Sequence, residues 1–169
     1  LTNAGIEAIG YRDGTTLGSI ATTTLRGHDI AFIALDTTTT PHDLDDIEEE
    51  LAPLGEDIFI TSFLHWGNEY ETVHSDEQEE FAHALIDRGV DLIIGAHPHV
   101  VQDIEEYNGA RIYYSLGNFI FDQYWNESVR DGLMVLVTLD GDDTSFTDIS
   151  ITSDHSKSQP YIESIIAGE

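Results

Sequence analysis

Two apolar runs, residues 57–64 (Asp-Ile-Phe-Ile-Thr-Ser-Phe-Leu) and 90–94 (Val-Asp-Leu-Ile-Ile), stand on either side of a helix-patterned segment. This order constrains the fold more than any other feature of the chain. Two strands joined through a helix lie parallel in one sheet, because a tight hairpin cannot join parallel strands. The helix carries its own boundary signals. Ser75-Asp76-Glu77-Gln78 has the spacing of a capping box, Phe81, Ala82, Leu85 and Ile86 share one face, and Gly89 stops the helix.

The rest of the chain alternates around this unit. Residues 19–25 and 29–35 read as strands joined by the turn Arg26-Gly27-His28, and residues 37–41 as a polar loop. His42-Asp43 opens a short acidic helix over 44–51, closed by Pro53 and Gly55. Asn108-Gly109 marks a hairpin between residues 104–107 and 111–116. Strands at 133–139 and 146–151 follow, joined by 140–143, and the stretch from Ser153 onward reads as a polar, peripheral tail. The expected class is α/β: a partly parallel sheet with helices on one side, residues 1–152 forming one domain and 153–169 a tail.

Chemistry concentrates at the ends of two strands. The run at 57–64 leads into His65, and the run at 90–94 leads into Gly95-Ala96-His97-Pro98-His99. In extended backbone, side chains at i and i+2 point the same way, so His97 and His99 are expected to converge, with Pro98 favouring an extended His97. Neutral imidazoles facing one object suit zinc, manganese or iron. Strand ends of an open α/β sheet are also where ligands bind. Glu69, four residues after His65, reads as a metal ligand, a partner that orients one, a general base or a solvated loop acid. Asn118, in Ser115-Leu116-Gly117-Asn118-Phe119, offers an amide to the site or serves a turn.

His28, His42, His74, His83 and His155 lack convergent neighbours in the sequence and read as surface residues. Tyr113, Tyr114, Phe119, Phe121, Tyr124 and Trp125 read as core or rim packing. No Gly-rich phosphate loop, G-x-S-x-G elbow or H-E-x-x-H helix is present. The absence of cysteine excludes disulfides, thiolate metal sites and cysteine nucleophiles.

The charge balance is lopsided: 33 acidic residues against 6 basic ones give a formal charge of −27. The acids are spread between apolar runs rather than massed in a tail, which describes a folded, carboxylate-covered surface. With Lys157 the single lysine, the pattern resembles proteins of salt-accumulating halophiles, where molar salt screens self-repulsion. Nucleic acid is excluded as a partner, because no basic stripe faces phosphates. No apolar run approaches the roughly 18 residues of a membrane span.

Three stretches taken together resemble a family. His65-Trp66-Gly67-Asn68-Glu69-Tyr70, then Gly89 through Gln102, then Tyr114-Ser115-Leu116-Gly117-Asn118-Phe119-Ile120-Phe121-Asp122-Gln123 look like the CapA family, capsule biosynthesis proteins associated with poly-γ-glutamate. The likeness is dense from about Ile58 to Trp125. It implies a calcineurin-like metallophosphoesterase fold, a β-sandwich flanked by helices. It implies divalent metal ions (Mn, Zn or Fe), with ligand roles falling on His65, His97 and His99. Ala96 stands where the family often has His or Ser. The family's Gly-Asp, Asn-Leu-Glu and Asn-Asn-His motifs are expected upstream of Leu1, so the N-terminal portion of the fold, with its carboxylates, is expected to be missing.

The expected function is capsule-polymer biosynthesis or export, the partner an anionic polymer or its synthesis complex, and the location the cell envelope or exterior, with membrane association of a parent protein open. Two other readings stand beside it: a metal-dependent hydrolase of phosphoesters or of the polymer, with His65, Glu69 and Asn118 as its chemical groups, and a non-catalytic polymer-binding or assembly module.

Overall fold

The structure, a computed structural model, describes residues 4–5, 9–10, 20–39, 42–55, 57–123, 125–141, 143–154 and 159–167. Ser19, Thr40, Pro41, Tyr124, Asp142, His155 and Lys157 lie outside the described residues.

Four strands run parallel in the order β2 (His28–Asp36), β3 (Phe59–His65), β4 (Leu92–Ala96) and β6 (Ala110–Tyr113). Antiparallel strands close the two edges, β1 (Ala21–Leu25) beside β2 and β5 (Ile104–Tyr107) beside β6. The strand–helix–strand reading at 57–94 is therefore met, with Thr61 opposite Leu92 and His65 opposite Ala96.

Period-two alternation sorts the side chains of this sheet onto two faces. Ala31, Ile33 and Leu35 of β2, Ile60 and Leu64 of β3, Ile93 of β4 and Ile112 of β6 share one core with both helices. Helix α1 (Leu44–Leu51) contributes Ile47 and Leu51 to it, and α2 (Asp76–Ile86) contributes Ala82, Leu85 and Ile86. Both helices are capped as their sequences require. Asp43 accepts from the Asp45 amide, and the Ser75 and Gln78 side chains complete a reciprocal capping box.

Leu92, Ile94 and Tyr113 point to the opposite face, towards a second sheet. That sheet is β7 (Asp131–Asp140), β8 (Asp143–Ser153) and β9 (Pro160–Ala167), all antiparallel. Leu133, Val135 and Val137 of β7 and Phe146 of β8 pack on the first sheet. The two sheets leave an apolar cleft of about 970 Å³ between them. The architecture is a mixed α/β arrangement of helices, a six-stranded sheet and a three-stranded sheet.

Strand β9 corrects one expectation. The stretch after Ser153 contains a strand paired with β8 through Ile149–Ile165 and Thr152–Tyr161. It forms an edge of the second sheet and is apolar: Tyr161, Ile162, Ile165 and Ile166 are all exposed.

Candidate functional site at the ends of the parallel strands

Parallel strands end together, so β2, β3 and β4 deliver Asp36, His65 and Ala96 to one level of the sheet: Asp36 pairs with His65, and His65 with Ala96. Beyond that level, three hydrogen bonds lace the loops: Thr37 N to His65 O at 3.0 Å, Trp66 N to Ala96 O at 3.1 Å and Tyr70 N to Pro98 O at 2.8 Å. The histidines meet here. The His65 and His97 ring centroids are 4.6 Å apart, and those of His97 and His99 are 6.3 Å apart.

They converge by a different route from the one the spacing implies. His97 and His99 have φ of +101° and +62°, so the His-Pro-His segment is a tight turn and the expected extended geometry is not adopted. The reason lies in the neighbours. Leu116 N bonds to Gly95 O, after which the chain must bend for Val100 to bury and for Val101 to bridge Leu116. A non-glycine residue in this region costs about 1–3 kcal/mol and persists only where its surroundings hold it. Gly95 is itself obligatory: a Cβ there would lie 1.9 Å from Tyr114 O and 2.5 Å from the Trp66 Nε1.

Asn118 joins the cluster from the far side. Its Oδ1 lies 2.9 Å from His99 Nδ1, and its amide donates to Val129 O at 2.9 Å and to Gln123 Oε1 at 3.2 Å. With the amide NH2 so committed, Oδ1 accepts, His99 carries its proton on Nδ1, and Nε2 keeps a lone pair. Burial, followed by the neighbouring His65 imidazole, holds His97 below the ordinary histidine range, while Glu69 and Asp36 pull weakly the other way. His97 is thus neutral at neutral pH.

Glu69 sits exposed on the 66–74 loop, and its link to the cluster is its charge on His97. Asp36 is a residue the sequence reading passed over. Burial opposes its ionisation, but hydrogen bonds from Thr38 and Thr39 outweigh that and hold its carboxyl below the usual range. The usable signal was its place, one residue past an apolar strand, which is also the place of His65.

Two other histidines correct their expectation as unpartnered surface residues. His74 stacks on Tyr114 at 3.9 Å and pairs with Asp103 and Glu79, and His83 stacks on Tyr107 and pairs with Glu105. These contacts brace the sheet's β5–β6 edge. His42 reaches the backbone oxygen of Asp36.

Three imidazoles, one neutral and one oriented by an amide, are the donor chemistry of a single borderline cation. Two imidazoles sharing a tetrahedral ion have ring centroids roughly 5 Å apart. The His65–His97 pair is close to that spacing, and the His97–His99 pair is wider, so His99 would have to swing inward to join a shared ion. The match to one ion is therefore one of donor chemistry and not of the side-chain positions in this structure. As the side chains stand, no group of three or more His, Asp or Glu among the described residues closes around a metal position. A two-ion centre would need carboxylates beyond those at the cluster. A cleft of about 530 Å³, walled in part by Asp36, His65, Ala96, Gly117 and Phe119, opens at the same strand ends. The larger inter-sheet cleft is apolar, and its histidine, His28, lies outside the cluster.

Comparison with known proteins adds what geometry alone does not. Residues 1–123 match the family model described as "Bacterial capsule synthesis protein PGA_cap". The chain is 52% identical over 71 residues to the PGA biosynthesis protein CapA of Bacillus subtilis, a match covering 42% of this chain and 18% of that protein. It is 44% identical over 85 residues to the capsule biosynthesis protein CapA of Bacillus anthracis, covering 50% and 20%. A probable polyglutamine synthesis accessory protein of Mycobacterium tuberculosis is 36% identical over 83 residues, covering 47% and 22%. The chain thus spans a minor part of these relatives' length. Among solved structures, a hypothetical protein from Thermus thermophilus superposes with a TM-score of 0.52 at 14% identity, over 94% of this chain and 64% of that one.

Proposed function

Because this chain belongs to the bacterial capsule synthesis protein family, we propose that it serves the biosynthesis of an anionic polyamide capsule polymer of the poly-γ-glutamate type, with the His65, His97 and His99 cluster as its working site. The observation that carries this reading is the convergence of His65, the His97–His99 turn and Asn118 from three separate segments onto the ends of the parallel strands. In this reading the helices and two sheets are the C-terminal part of a calcineurin-like metallophosphoesterase sandwich. The protein works at the cell envelope beside a polymer synthesis complex, and its −27 charge suits molar salt.

His65, His97 and His99 would hold one divalent cation of the zinc, manganese or iron kind. When bound, that ion supplies the positive charge that the rest of the site lacks. The chain's own groups do the remaining work. His97 stays neutral and keeps a lone pair, because its burial disfavours the protonated ring. Asn118 fixes the tautomer of His99. Glu69, exposed and close enough for its charge to act on His97, would accept a proton from a bound group.

The test is genetic and chemical together. His97 and His99 are replaced by Ala in the encoding gene of the host, and cell-associated polymer is weighed at equal protein level. The expected result is loss of the polymer; a normal capsule would overturn the proposal.

A further inference from the structure

Beside the histidines the chain exposes large aromatic side chains that core packing does not explain. Tyr70, Phe121 and Trp125 are 44%, 42% and 67% exposed. They stand in one wall. The Tyr70 ring lies 6.1 Å from His99 at 25°, Phe121 lies 5.2 Å from His99, and Trp125 meets Tyr70 edge-on at 6.3 Å. Gln123 braces the wall, its amide donating to the Tyr70 hydroxyl at 3.4 Å while its carbonyl accepts from Asn118. The wall is thus wired to the same asparagine that orients His99.

The distribution of charge decides what such a wall can hold. A binder of an anionic chain ordinarily meets it with Lys and Arg, and here the described arginines are paired with acids, except for one at the end of β2 away from Asp36. Arg88 pairs with Glu48, Arg111 with Glu106 and Asp148, and Arg130, whose side chain is 11% exposed, with Glu127. Arg26 sits in the β1–β2 turn. A carboxylate-bearing polymer facing this surface therefore finds no ionic grip among the described residues beyond the histidine cluster. What the surface does offer is ring faces and side-chain amides, which match the methylene and amide parts of a chain.

We infer that Tyr70, Phe121 and Trp125 form a polymer-binding platform that grips the uncharged backbone of an extended polyamide and leads it across the histidines, leaving its carboxylates turned to solvent. This inference rests on the polymer reading above and adds the part of the polymer that is recognised and the residues that recognise it. Its consequence is unusual for a binder of an anionic chain: neutralising the ligand strengthens binding. Like charges repel the acidic polymer at low salt, and screening removes that penalty.

The test uses the full chain and two probes, poly-γ-glutamate and a γ-glutamyl oligomer of matched length with methyl-esterified carboxylates. Binding is followed by calorimetry at low and molar salt. Tryptophan emission reports on the wild type, because Trp66 is buried and Trp125 is the exposed indole. The platform predicts tighter binding of the ester than of the acid at low salt, a gap that narrows in molar salt, and a shift in Trp125 emission. Trp125→Ala and Phe121→Ala, with unchanged circular dichroism, each weaken ester binding by about three- to tenfold, and Trp125→Phe restores most of it.

Equal binding by wild type and both alanine variants would overturn the platform while leaving the polymer reading intact. Tighter binding of the acid than of the ester at low salt would overturn recognition through the neutral backbone. If the wild type binds neither probe at either salt, the platform and direct contact of this site with the polymer fall together.

Discussion

The Oδ1 of Asn118 lies 2.9 Å from the Nδ1 of His99, and both hydrogens of the same amide are spent on Val129 O and Gln123. The asparagine has one orientation available, and through it the histidine has one tautomer. Asn118→Leu removes the acceptor and frees the ring. The expected outcome is a mixed His99 tautomer in nitrogen NMR and about 10–100-fold weaker divalent metal binding. Asn118→Asp, which still accepts, keeps the Nδ1–H form. An unchanged His99 spectrum in Asn118→Leu would contradict this assignment.

His97 gives a pH signature. Its folded-state pKa lies below the ordinary value of 6.5, chiefly through burial. The unfolded chain takes up a proton at this residue more readily than the folded one. Its contribution to stability is therefore present above about pH 6.5 and is lost as pH falls through the depressed folded value. Proton NMR should place the His97 midpoint below 6.5, and His97→Gln should flatten the dependence of stability on pH below neutrality. A midpoint at or above the ordinary histidine value would refute this.

Gly95 is a packing constraint that no side chain can share. Gly95→Ala drives a methyl group into Tyr114 O and the Trp66 indole, whose Nε1 donates to that same oxygen at 2.8 Å. The loss expected in denaturant unfolding is about 3 kcal/mol. A variant as stable as wild type would show that β4 and the 114–116 segment are not so closely apposed.

Ser62 offers the opposite case. It is fully buried on the helix-facing side of β3, and its Oγ has no hydrogen-bond partner among the described residues. Burying an unpaired hydroxyl costs about 1–3 kcal/mol. Ser62→Ala should therefore raise stability by about 1 kcal/mol in the same unfolding experiment, and destabilisation would reveal a partner for the hydroxyl.

The strand–helix–strand centre was legible because its signals are local: the apolar runs of β3 and β4 and the Ser75–Gln78 box are written in adjacent residues. The meeting of His65, His97 and His99 was also legible, since parallel strands must end at one level. The left-handed turn at His97 and His99 was not, because it is imposed by Leu116, from a later segment, which bonds to Gly95 and bridges Val101 on either side of the turn. Asp103, which pairs with His74, and Glu105, which pairs with His83, lie 29 and 22 residues away, beyond any local signal. Strand β9 was hidden by the polar residues before it and by Glu163-Ser164 within it, which break the alternation of Tyr161, Ile162, Ile165 and Ile166. Asp36 escaped notice as the first polar residue of a Thr-rich loop.

The most direct test of the central claim is calorimetric titration of the wild-type chain with zinc and with manganese, repeated on His97→Ala. The predicted result is saturable binding to the wild type that is lost in the variant while the circular dichroism spectrum is unchanged. Binding of equal strength in both proteins, or in neither, would contradict a metal site built on these histidines.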